Sequence, residues 1–224
     1  MCLPRADELE CVSTKIIFIR HCTPYDPCES PPGCLNGWTD VALSQEGQAQ
    51  AALLAERVRS AGCGFSGLYA SPLRRAADTA RAISSHCAIP IRFRTELKEI
   101  NCGVLDGLPI DRVKALHPRL WEENLSQQNE HFRWPGGESY VELRRRCIEV
   151  VEETARLHDG EPVVMVTHAG VISQVLGYIN GLSPAQWQLF RPDYGSLTEV
   201  TWEKGLGRLI AFDDRSHFER AKPE

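Results

Sequence analysis

The chain has 224 residues, of which 42% are hydrophobic, and a formal net charge of −5 at pH 7. This composition is typical of a globular protein with a hydrophobic core, and the negative charge argues against a general nucleic-acid surface. No apolar run reaches the length of a transmembrane helix, and the first 13 residues lack the apolar stretch of a signal peptide. We therefore expect a soluble, cytoplasmic protein with neither a nucleic-acid nor a membrane partner.

The nine cysteines include no Cys-x-x-Cys pair. The zinc-ribbon and thioredoxin patterns are therefore absent, and no other cluster of metal-ligand residues is evident. We expect no metal site and no cofactor, and thiols that stay reduced, as is usual in a cytoplasmic protein.

The first strong element is the apolar run Ile-Ile-Phe-Ile at 16–19, which is followed at once by Arg20 and His21. A short, β-branched run of this kind predicts a strand that is buried on both faces, as in the centre of a parallel sheet. Ligands of open α/β sheets bind at the carboxyl ends of the strands. The sequence therefore places a cation and an imidazole where chemistry is expected.

Residues 22–41 contain four prolines and two glycines, which predicts a long loop. Loops of this length in compact domains are usually functional. Ser44 is placed to cap an amphipathic helix that ends near Gly62. A short strand at 67–71 follows, and then a helix to about Ser85 with Pro72 in its first turn.

The remaining pattern alternates between strand and helix. The predicted elements are a strand at 89–95, helical pieces near 109–116 and 118–125, a long helix after Gly137, a strand at 162–168 with a helix behind it, and closing strands near 197–202 and 208–212 joined by a turn at Lys204-Gly205. This alternation predicts a three-layer α/β/α sandwich whose central sheet is mostly parallel, with helices on both faces. We expect one domain over 14–214, an irregular extension at 1–13 and a C-terminal tail at 215–224.

The strand at 162–168 repeats the design of the first, because its apolar run ends at His168. Two parallel strands that end in histidine would place both imidazoles on one rim of the sheet. A single strand-end histidine is as often a simple cap as a functional group. A pair of them, one beside Arg20, favours a functional site.

Two further stretches carry charge after a predicted strand. Arg74 and Arg75 stand at the start of the second helix, and Glu96, Glu99 and Asp106 lie in the loop after the third strand. Arginines on a helix surface and acids in a loop are normally solvated, so neither stretch by itself indicates a site.

Six short segments occur in a fixed order along residues 14–180. They are Arg-His-Cys at 20–22, Gly-Trp-Thr-Asp-Val-Ala-Leu-Ser at 37–44, Ser-Pro-Leu-Arg-Arg-Ala-Ala-Asp-Thr-Ala at 71–80, Glu-x-x-x-Gly-x-x-x-Gly at 99–107, Pro-Gly-Gly-Glu-Ser at 135–139 and Thr-His-Ala-Gly at 167–170. In this order they resemble the motifs of the histidine phosphatases, a family that includes the cofactor-dependent phosphoglycerate mutases. The resemblance selects Arg75 rather than Arg74, and Glu99 rather than its acidic neighbours.

The resemblance implies a mechanism. His21 would attack phosphorus and form a phosphohistidine, while Arg20, Arg75 and His168 would bind the phosphate oxygens. Glu99 would protonate the leaving alkoxide and then activate water. No metal would take part.

By the same resemblance, Asn36, Gly37 and Ala169 would contact the substrate. The chain departs from the family at two places, where Cys22 and Ala169 stand in positions usually occupied by glycine. Either would be strained if the backbone there required a positive φ. We expect both to be tolerated, because the polar groups of the site are all present.

Three other functions were considered. A cysteine-dependent phosphatase needs an arginine six residues after its cysteine, but Cys28 stands six residues after Cys22. A phosphoglycerate mutase would have a tyrosine and a lysine at the positions of Cys102 and Ile110, so a phosphatase is favoured and a mutase is the alternative. A non-catalytic phospho-ligand binding module would have lost His21 or its partners.

The expected substrate is a small phosphorylated metabolite, since the compact chain and its 135–139 segment resemble phosphatases such as those of α-ribazole phosphate. Both a monomer and a homodimer stay open.

Overall fold

The fold was examined in a computed structural model, which describes residues 13–28, 33–158 and 160–219. Almost all of the expected N-terminal extension lies outside the described residues. The described part of the chain forms six strands, which are β1 Thr14–Arg20, β2 Gly67–Ala70, β3 Ile91–Phe93, β4 Val163–Thr167, β5 Leu197–Glu203 and β6 Leu206–Asp214. Its helices are α1 Gln45–Ser60, α2 Arg74–Cys87, α3 Ile110–Leu116, α4 Pro118–Ser126, α5 Tyr140–His158, α6 Ala169–Ile179 and α7 Ser216–Glu219.

The strands form one sheet in the order β3-β2-β4-β1-β5-β6. The first four strands of that order run parallel, whereas β5 and β6 are antiparallel to their neighbours. Arg20 at the end of β1 pairs with Thr167 at the end of β4. The two strands therefore end side by side, and His21 and His168 follow on the same rim, as the sequence predicts.

Alternate residues of the central strands face different helical layers. Phe18 packs in one hydrophobic cluster with Val150 of α5 and Val175 of α6, whereas Ile19 packs in a second cluster with Leu54 of α1. Helices thus cover both faces, which confirms the predicted α/β class. Within the described ranges, no helix is both long and apolar enough to cross a membrane.

Two helix starts show how local and distant residues share the capping. Ser44 caps α1 as predicted, because its Oγ accepts the N–H of Gly47 at 3.0 Å. Helix α2 begins at Arg74, two residues later than the predicted start at Pro72. Its first N–H donates to Oδ1 of Asp40 at 2.7 Å, so the loop before α1 supplies the cap that Leu73 lacks.

Other boundaries moved for local reasons. Strand β3 is shorter than predicted because a 3-10 turn follows at Thr95–Leu97. The hairpin turn at Lys204-Gly205 is confirmed, since both residues adopt the positive φ that a two-residue hairpin turn favours. Helix α7 lies within the segment for which we expected a tail.

The cysteines correct one expectation. Cys28 is bonded to Cys34 and Cys63 to Cys87, with Cα–Cα distances of 5.9 and 5.6 Å. The first pair joins two positions of the loop after β1, and the second joins the segment just after α1 to the last residue of α2. Spacing along the chain does not reveal either approach, so the prediction of reduced thiols is wrong at these positions. The other cysteines of the described ranges, Cys22, Cys102 and Cys147, are free and buried.

Candidate active site

His21 is held in one orientation at the end of β1. Its backbone N–H donates to the carbonyl oxygen of Thr167 at 2.9 Å, and its Nδ1 lies 2.8 Å from the carbonyl oxygen of Cys22. A carbonyl only accepts, so Nδ1 carries the ring proton. Nε2 receives the Nε–H of Arg75 at 3.2 Å. The lone pair of the neutral imidazole therefore lies on Nε2, where it accepts this hydrogen bond from the guanidinium group.

The surroundings keep this imidazole neutral. Burial, followed by the charges of Arg75 and Arg20, holds the pKa of His21 well below its usual value. A neutral ring keeps the Nε2 lone pair available. The geometry and the charge of the site thus both suit a nitrogen nucleophile.

Arg75 is fixed by the loop that precedes α1. Its side chain is buried, and its Nη1 and Nη2 donate to the carbonyl oxygens of Thr39 at 2.8 Å and Gly37 at 2.7 Å. Burial lowers the pKa of this guanidinium group, which nonetheless stays charged at neutral pH. Arg75 is thus a fixed cation beside the lone pair of His21.

Asp106 holds that loop in place. Its carboxylate accepts the N–H groups of Gly37 at 2.9 Å, Trp38 at 2.5 Å and Thr39 at 3.2 Å, together with the Thr39 hydroxyl at 2.5 Å. A Cβ at position 37 would lie 2.3 Å from the carbonyl oxygen of Ile100, so glycine is needed for this close approach. Both backbone polar groups of Gly37 have protein partners, and the expected substrate contact at this residue stays a prediction.

Arg20 is braced by a segment that the sequence did not indicate. Its Nη1 donates to the carbonyl oxygen of Pro192 at 2.7 Å, and its Cζ lies 3.7 Å from the centroid of the Tyr194 ring. The Tyr194 ring is also 5.4 Å from the ring of His21. Gly195 donates its N–H to the carbonyl of Arg20 at 3.1 Å. An aromatic residue before a glycine was the only local signal for this brace.

His168 faces His21 from the end of β4. The ring centroids are 5.0 Å apart, and Nε2 of His168 lies 2.8 Å from Oγ of Ser71. Burial, together with the charges of Arg75 and His21, holds the pKa of His168 well below its usual value. When the Ser71 hydroxyl donates to Nε2, the proton of the neutral ring lies on Nδ1.

Among the predicted site residues, three buried polar atoms have no hydrogen-bond partner in the described part of the chain: Nε of Arg20, Nδ1 of His168 and Oδ1 of Asn36. The first two are donors, and rotation of the Asn36 amide would present its NH₂ group as a third. Buried polar groups normally have partners. These atoms therefore fit an oxyanion with several acceptor oxygens, such as a phosphate group.

Glu99 reaches the same region from a loop. Its Oε1 accepts the N–H of Ile100 at 2.8 Å, and its Oε2 accepts the N–H of Gly170 at 3.1 Å. Gly170 lies in the first turn of α6, where a negative group is favoured by the helix dipole. A Cβ at position 170 would lie 2.1 Å from Oε1, so this approach also requires glycine. Ala169, the first residue of α6, stands between this contact and His168.

The two departures from the family's glycines cause no backbone strain. Neither Cys22 nor Ala169 has a positive φ, so their expected tolerance fits the backbone. The N–H of Cys22 donates to Oγ1 of Thr79 at 3.1 Å, and burial raises the pKa of the Cys22 thiol to about 12. A thiol of this kind is a poor nucleophile, which supports the choice of His21.

A search of the described residues for metal ligands finds one group of three, formed by Asp26, Cys28 and Cys34. The two sulfur atoms are joined in a disulfide, so they do not offer thiolate ligands in this state. None of the predicted site residues belongs to this group.

The structure thus brings together Arg20, His21, Arg75 and His168, and it links Glu99 to them through α6 and through its charge, which acts on both arginines. Sequence reasoning missed Tyr194, the loop-holding role of Asp106 and the contacts of Arg146 described below.

Comparison with known proteins agrees with this geometry. The sequence profile of the histidine phosphatase superfamily (branch 1) matches residues 16–215. A metal-independent phosphoserine phosphatase of Arabidopsis thaliana is 31% identical over 179 residues, which cover 80% of this chain and 74% of that protein. A probable phosphoglycerate mutase GpmB of Yersinia enterocolitica is 30% identical over 170 residues, covering 76% of this chain and 78% of that protein.

Among solved structures, a mycobacterial glucosyl-3-phosphoglycerate phosphatase superposes with a TM-score of 0.78. It is 24% identical, and the match covers 90% of this chain and 99% of that one. At this level of identity the likeness shows the fold.

Proposed function

The chain belongs to the histidine phosphatase superfamily, and from that premise we propose that it hydrolyses the phosphomonoester of a small metabolite through a phosphohistidine intermediate. The observation that carries the proposal is the state of His21, a buried neutral imidazole whose Nε2 lone pair faces Arg75 at 3.2 Å. His21 differs from His158, another buried histidine with an arginine beside it, because its neighbours Arg20 and His168 each have a buried nitrogen without a partner among the described residues.

In the first half-reaction, Nε2 of His21 attacks phosphorus in line with the ester oxygen. The N–P bond forms as the P–O bond to the leaving group breaks. Arg20, Arg75 and His168 bind the equatorial oxygens, whose charge they stabilise in the transition state. The leaving alkoxide takes a proton from the carboxyl group of Glu99.

In the second half-reaction, the Glu99 carboxylate removes a proton from water as the water oxygen attacks phosphorus. The N–P bond breaks, and inorganic phosphate and neutral His21 are regenerated. The same side chain therefore acts first as an acid and then as a base, as covalent catalysis in two steps requires.

Trapping the intermediate tests this proposal. Quenching a reaction with ³²P-labelled substrate should leave acid-labile, alkali-stable label on the wild-type protein and none on His21→Ala. His131→Ala is the matched control, because the His131 side chain is 74% exposed. Equal labelling of His21→Ala and wild type would rule out His21 as the nucleophile.

We propose further that the reaction needs no metal ion. The first support is that Arg20, Arg75 and His168 offer hydrogen-bond donors to the phosphate oxygens, and that the two arginines supply the positive charge that a metal ion would otherwise provide. The second is that one relative is named a metal-independent phosphoserine phosphatase. Full activity after exhaustive chelation is the expected result. Loss of activity that returns with added Mg²⁺ would contradict it.

The second candidate function is phosphoglycerate mutase, which the relative from Yersinia enterocolitica supports. Against it stand Cys102 and Ile110 at the positions where the resemblance implies a tyrosine and a lysine. Release of inorganic phosphate without a bisphosphorylated primer supports the phosphatase. Primer-dependent interconversion of monophosphoglycerates that outruns all hydrolysis would support the mutase, and phosphate binding with no turnover would leave a binding module.

The cytoplasmic location and the single domain over 14–214 stay predictions. The two disulfides are unusual in a reducing compartment. Titration of free thiols in protein purified with the cellular redox state preserved tests the location. Two intact disulfides, as in the structure, would argue against a reducing cytoplasm, whereas reduced Cys28, Cys34, Cys63 and Cys87 would support it.

A further inference from the structure

Arg146 of α5 grips the main chain of the segment that carries Glu99. Its Nη1 donates to the carbonyl oxygens of Glu96 and Lys98, both at 2.6 Å, and its Nη2 donates to the carbonyl oxygen of Glu99 at 2.9 Å. This segment has no regular secondary structure after the 3-10 turn at Thr95–Leu97. Its path is therefore set by outside groups rather than by the sheet.

Glu138 completes the contact from the other side. Its two carboxylate oxygens accept Nε of Arg146 at 3.0 Å and Nη2 at 2.6 Å. Oε1 of Glu138 also accepts the N–H of Asn101 at 2.8 Å. The backbone N–H of Glu138 donates to the carbonyl oxygen of Asn101 at 3.1 Å. The Arg146–Glu138 pair thus binds the chain on both sides of Glu99.

All five N–H donors of the Arg146 guanidinium group are used in these bonds, and its side chain is only 17% exposed. A lysine has one nitrogen and three hydrogens, so it cannot reproduce this arrangement. The carbonyl of Glu99 also accepts Nε1 of Trp38 at 2.7 Å. Two donors on that one carbonyl restrict the rotation of the peptide unit from which the catalytic side chain extends.

We propose that Arg146, with Glu138, is a positioning residue that holds Glu99 where its carboxyl group can reach the leaving oxygen. The inference rests on the proposed function, since it assigns Glu99 as the acid. A misplacement of about 1 Å can reduce a catalysed rate about 100-fold. This Arg146–Glu138 clamp makes no hydrogen bond to Arg20, His21, Arg75 or His168, and only the charge of Arg146 acts on His168. Its loss should therefore affect proton transfer more than phosphate binding, and Arg146→Lys, which keeps the charge, separates the two effects.

Leaving-group dependence separates this role from a general loss of structure. An alkyl phosphate leaves as a basic alkoxide and needs the proton, whereas p-nitrophenolate is stable without it. In single-turnover experiments, Arg146→Met and Arg146→Lys should slow phosphoenzyme formation from an alkyl phosphate about 10–100-fold. Formation from p-nitrophenyl phosphate should change less than about threefold. Combining Arg146→Met with Glu99→Gln should add nothing to the loss caused by Glu99→Gln alone.

Arg144→Met is the matched control on the same helix. Arg144 is half-buried and donates to Oε1 of Gln174 at 2.8 Å and to the carbonyl of Leu182, and neither partner belongs to the Glu99 segment. It should lower the melting temperature with no leaving-group-dependent loss. If Arg146→Met does not fold, Glu138→Gln, which keeps the shape and removes the charge, carries the same test.

The outcomes are distinct. A wild-type protein that forms no phosphohistidine overturns the proposed function itself. A wild-type phosphoenzyme combined with equal losses for both esters in the Arg146 variants overturns only the positioning role, because the clamp would then support the whole site rather than the acid.

Discussion

The two halves of the candidate site are built in different ways. The phosphate half stands on strand ends: Arg20 and His21 follow β1, His168 follows β4, and the two strands are paired up to their last residues. The acid half is a loop, in which Glu99 is held by the backbone of Gly170 and by the side chain of Arg146. The proposed nucleophile, His21, is fixed by the sheet itself, whereas the proposed acid, Glu99, is fixed by contacts from distant segments.

This difference matches the demands of the two roles. In-line attack needs a fixed lone pair among fixed cations, and their burial keeps His21 neutral. A group that gives a proton and later takes one must stay half-exposed and in contact with water. A loop whose main chain is held by Arg146 and whose carboxyl group is half-exposed suits that second task.

The largest effect is expected in the phosphate half. Arg75→Lys should lower kcat/KM about 100–1,000-fold, because one ammonium nitrogen cannot span the positions of Gly37, Thr39 and His21, which three separate nitrogens of the guanidinium group reach. The exposed neighbour Arg74 provides the control, since Arg74→Lys keeps a charge that has no role in the site. Steady-state kinetics with p-nitrophenyl phosphate measures both. Similar losses in the two variants would show that a fixed strand-end geometry does not govern the rate.

A smaller effect is expected in the acid half. Gly170→Ala would place a Cβ 2.1 Å from Oε1 of Glu99, and should slow phosphoenzyme formation from an alkyl ester about 10–100-fold. In the same helix, Gly177→Ala meets only the flexible end of Arg144, at 2.6 Å, and should keep its activity. Neither should lower the melting temperature by much, because alanine is favoured over glycine within helices. Full activity of Gly170→Ala would mean that Glu99 does not act from its observed position.

Asp106→Asn tests whether the loop that holds Arg75 belongs with the phosphate half. The change replaces the carboxylate that accepts the N–H groups of Gly37, Trp38 and Thr39 with a neutral amide. It should lower the rate about tenfold for alkyl and aryl esters alike, since a charge-assisted hydrogen bond contributes about 1.5–3 kcal/mol. Glu99→Gln should instead be selective for the alkyl ester. A selective loss in Asp106→Asn would transfer the acid role to Asp106.

The sequence predicted these halves to different extents. Apolar runs that end in histidine indicated the strand-borne residues directly, and the topological rule for parallel strands placed them on one rim. Glu99 came only from a family resemblance, because a loop acid has no local signal. Asp106 and Arg146 bond to residues far away along the chain, which no local pattern reports. The helical repeat places Arg146 on the buried face of α5, since Arg146 lies three residues after Leu143 and four before Val150, which are both buried. It does not indicate which residues Arg146 bonds. The disulfides were missed for the same long-range reason.

The smallest expected effect lies at the opposite end of the sheet, where His158 shows whether burial and a nearby arginine lower the pKa of an imidazole outside the candidate site. Nδ1 of His158 lies 2.5 Å from Oγ of Ser66, and its Nε2 lies 2.9 Å from the hydroxyl of Tyr69. Burial, and then the charge of Arg92, lowers the pKa of His158. The hydroxyl of Ser66 also donates to the carbonyl oxygen of Pro162 at 3.2 Å. Ser66 and Pro162 directly precede β2 and β4, so these residues lie at the amino ends of the parallel strands, whereas His21 and His168 lie at the carboxyl ends.

Because the folded pKa of His158 lies below the unfolded value of about 6.5, protons bind the unfolded chain more readily between those two values. The stability that His158 contributes is therefore complete above pH 6.5 and is lost as the pH falls toward the folded pKa, at no more than about 1.4 kcal/mol per pH unit.

His158→Gln should make the free energy of unfolding less sensitive to pH below 6.5, as measured by urea denaturation at pH 8 and pH 5.5. His21 and His168 titrate in the same direction in both proteins, so their share cancels in the comparison. The exposed His131→Gln should leave the pH dependence unchanged. An unchanged slope in His158→Gln would show that the imidazole of His158 keeps an ordinary pKa in the folded protein.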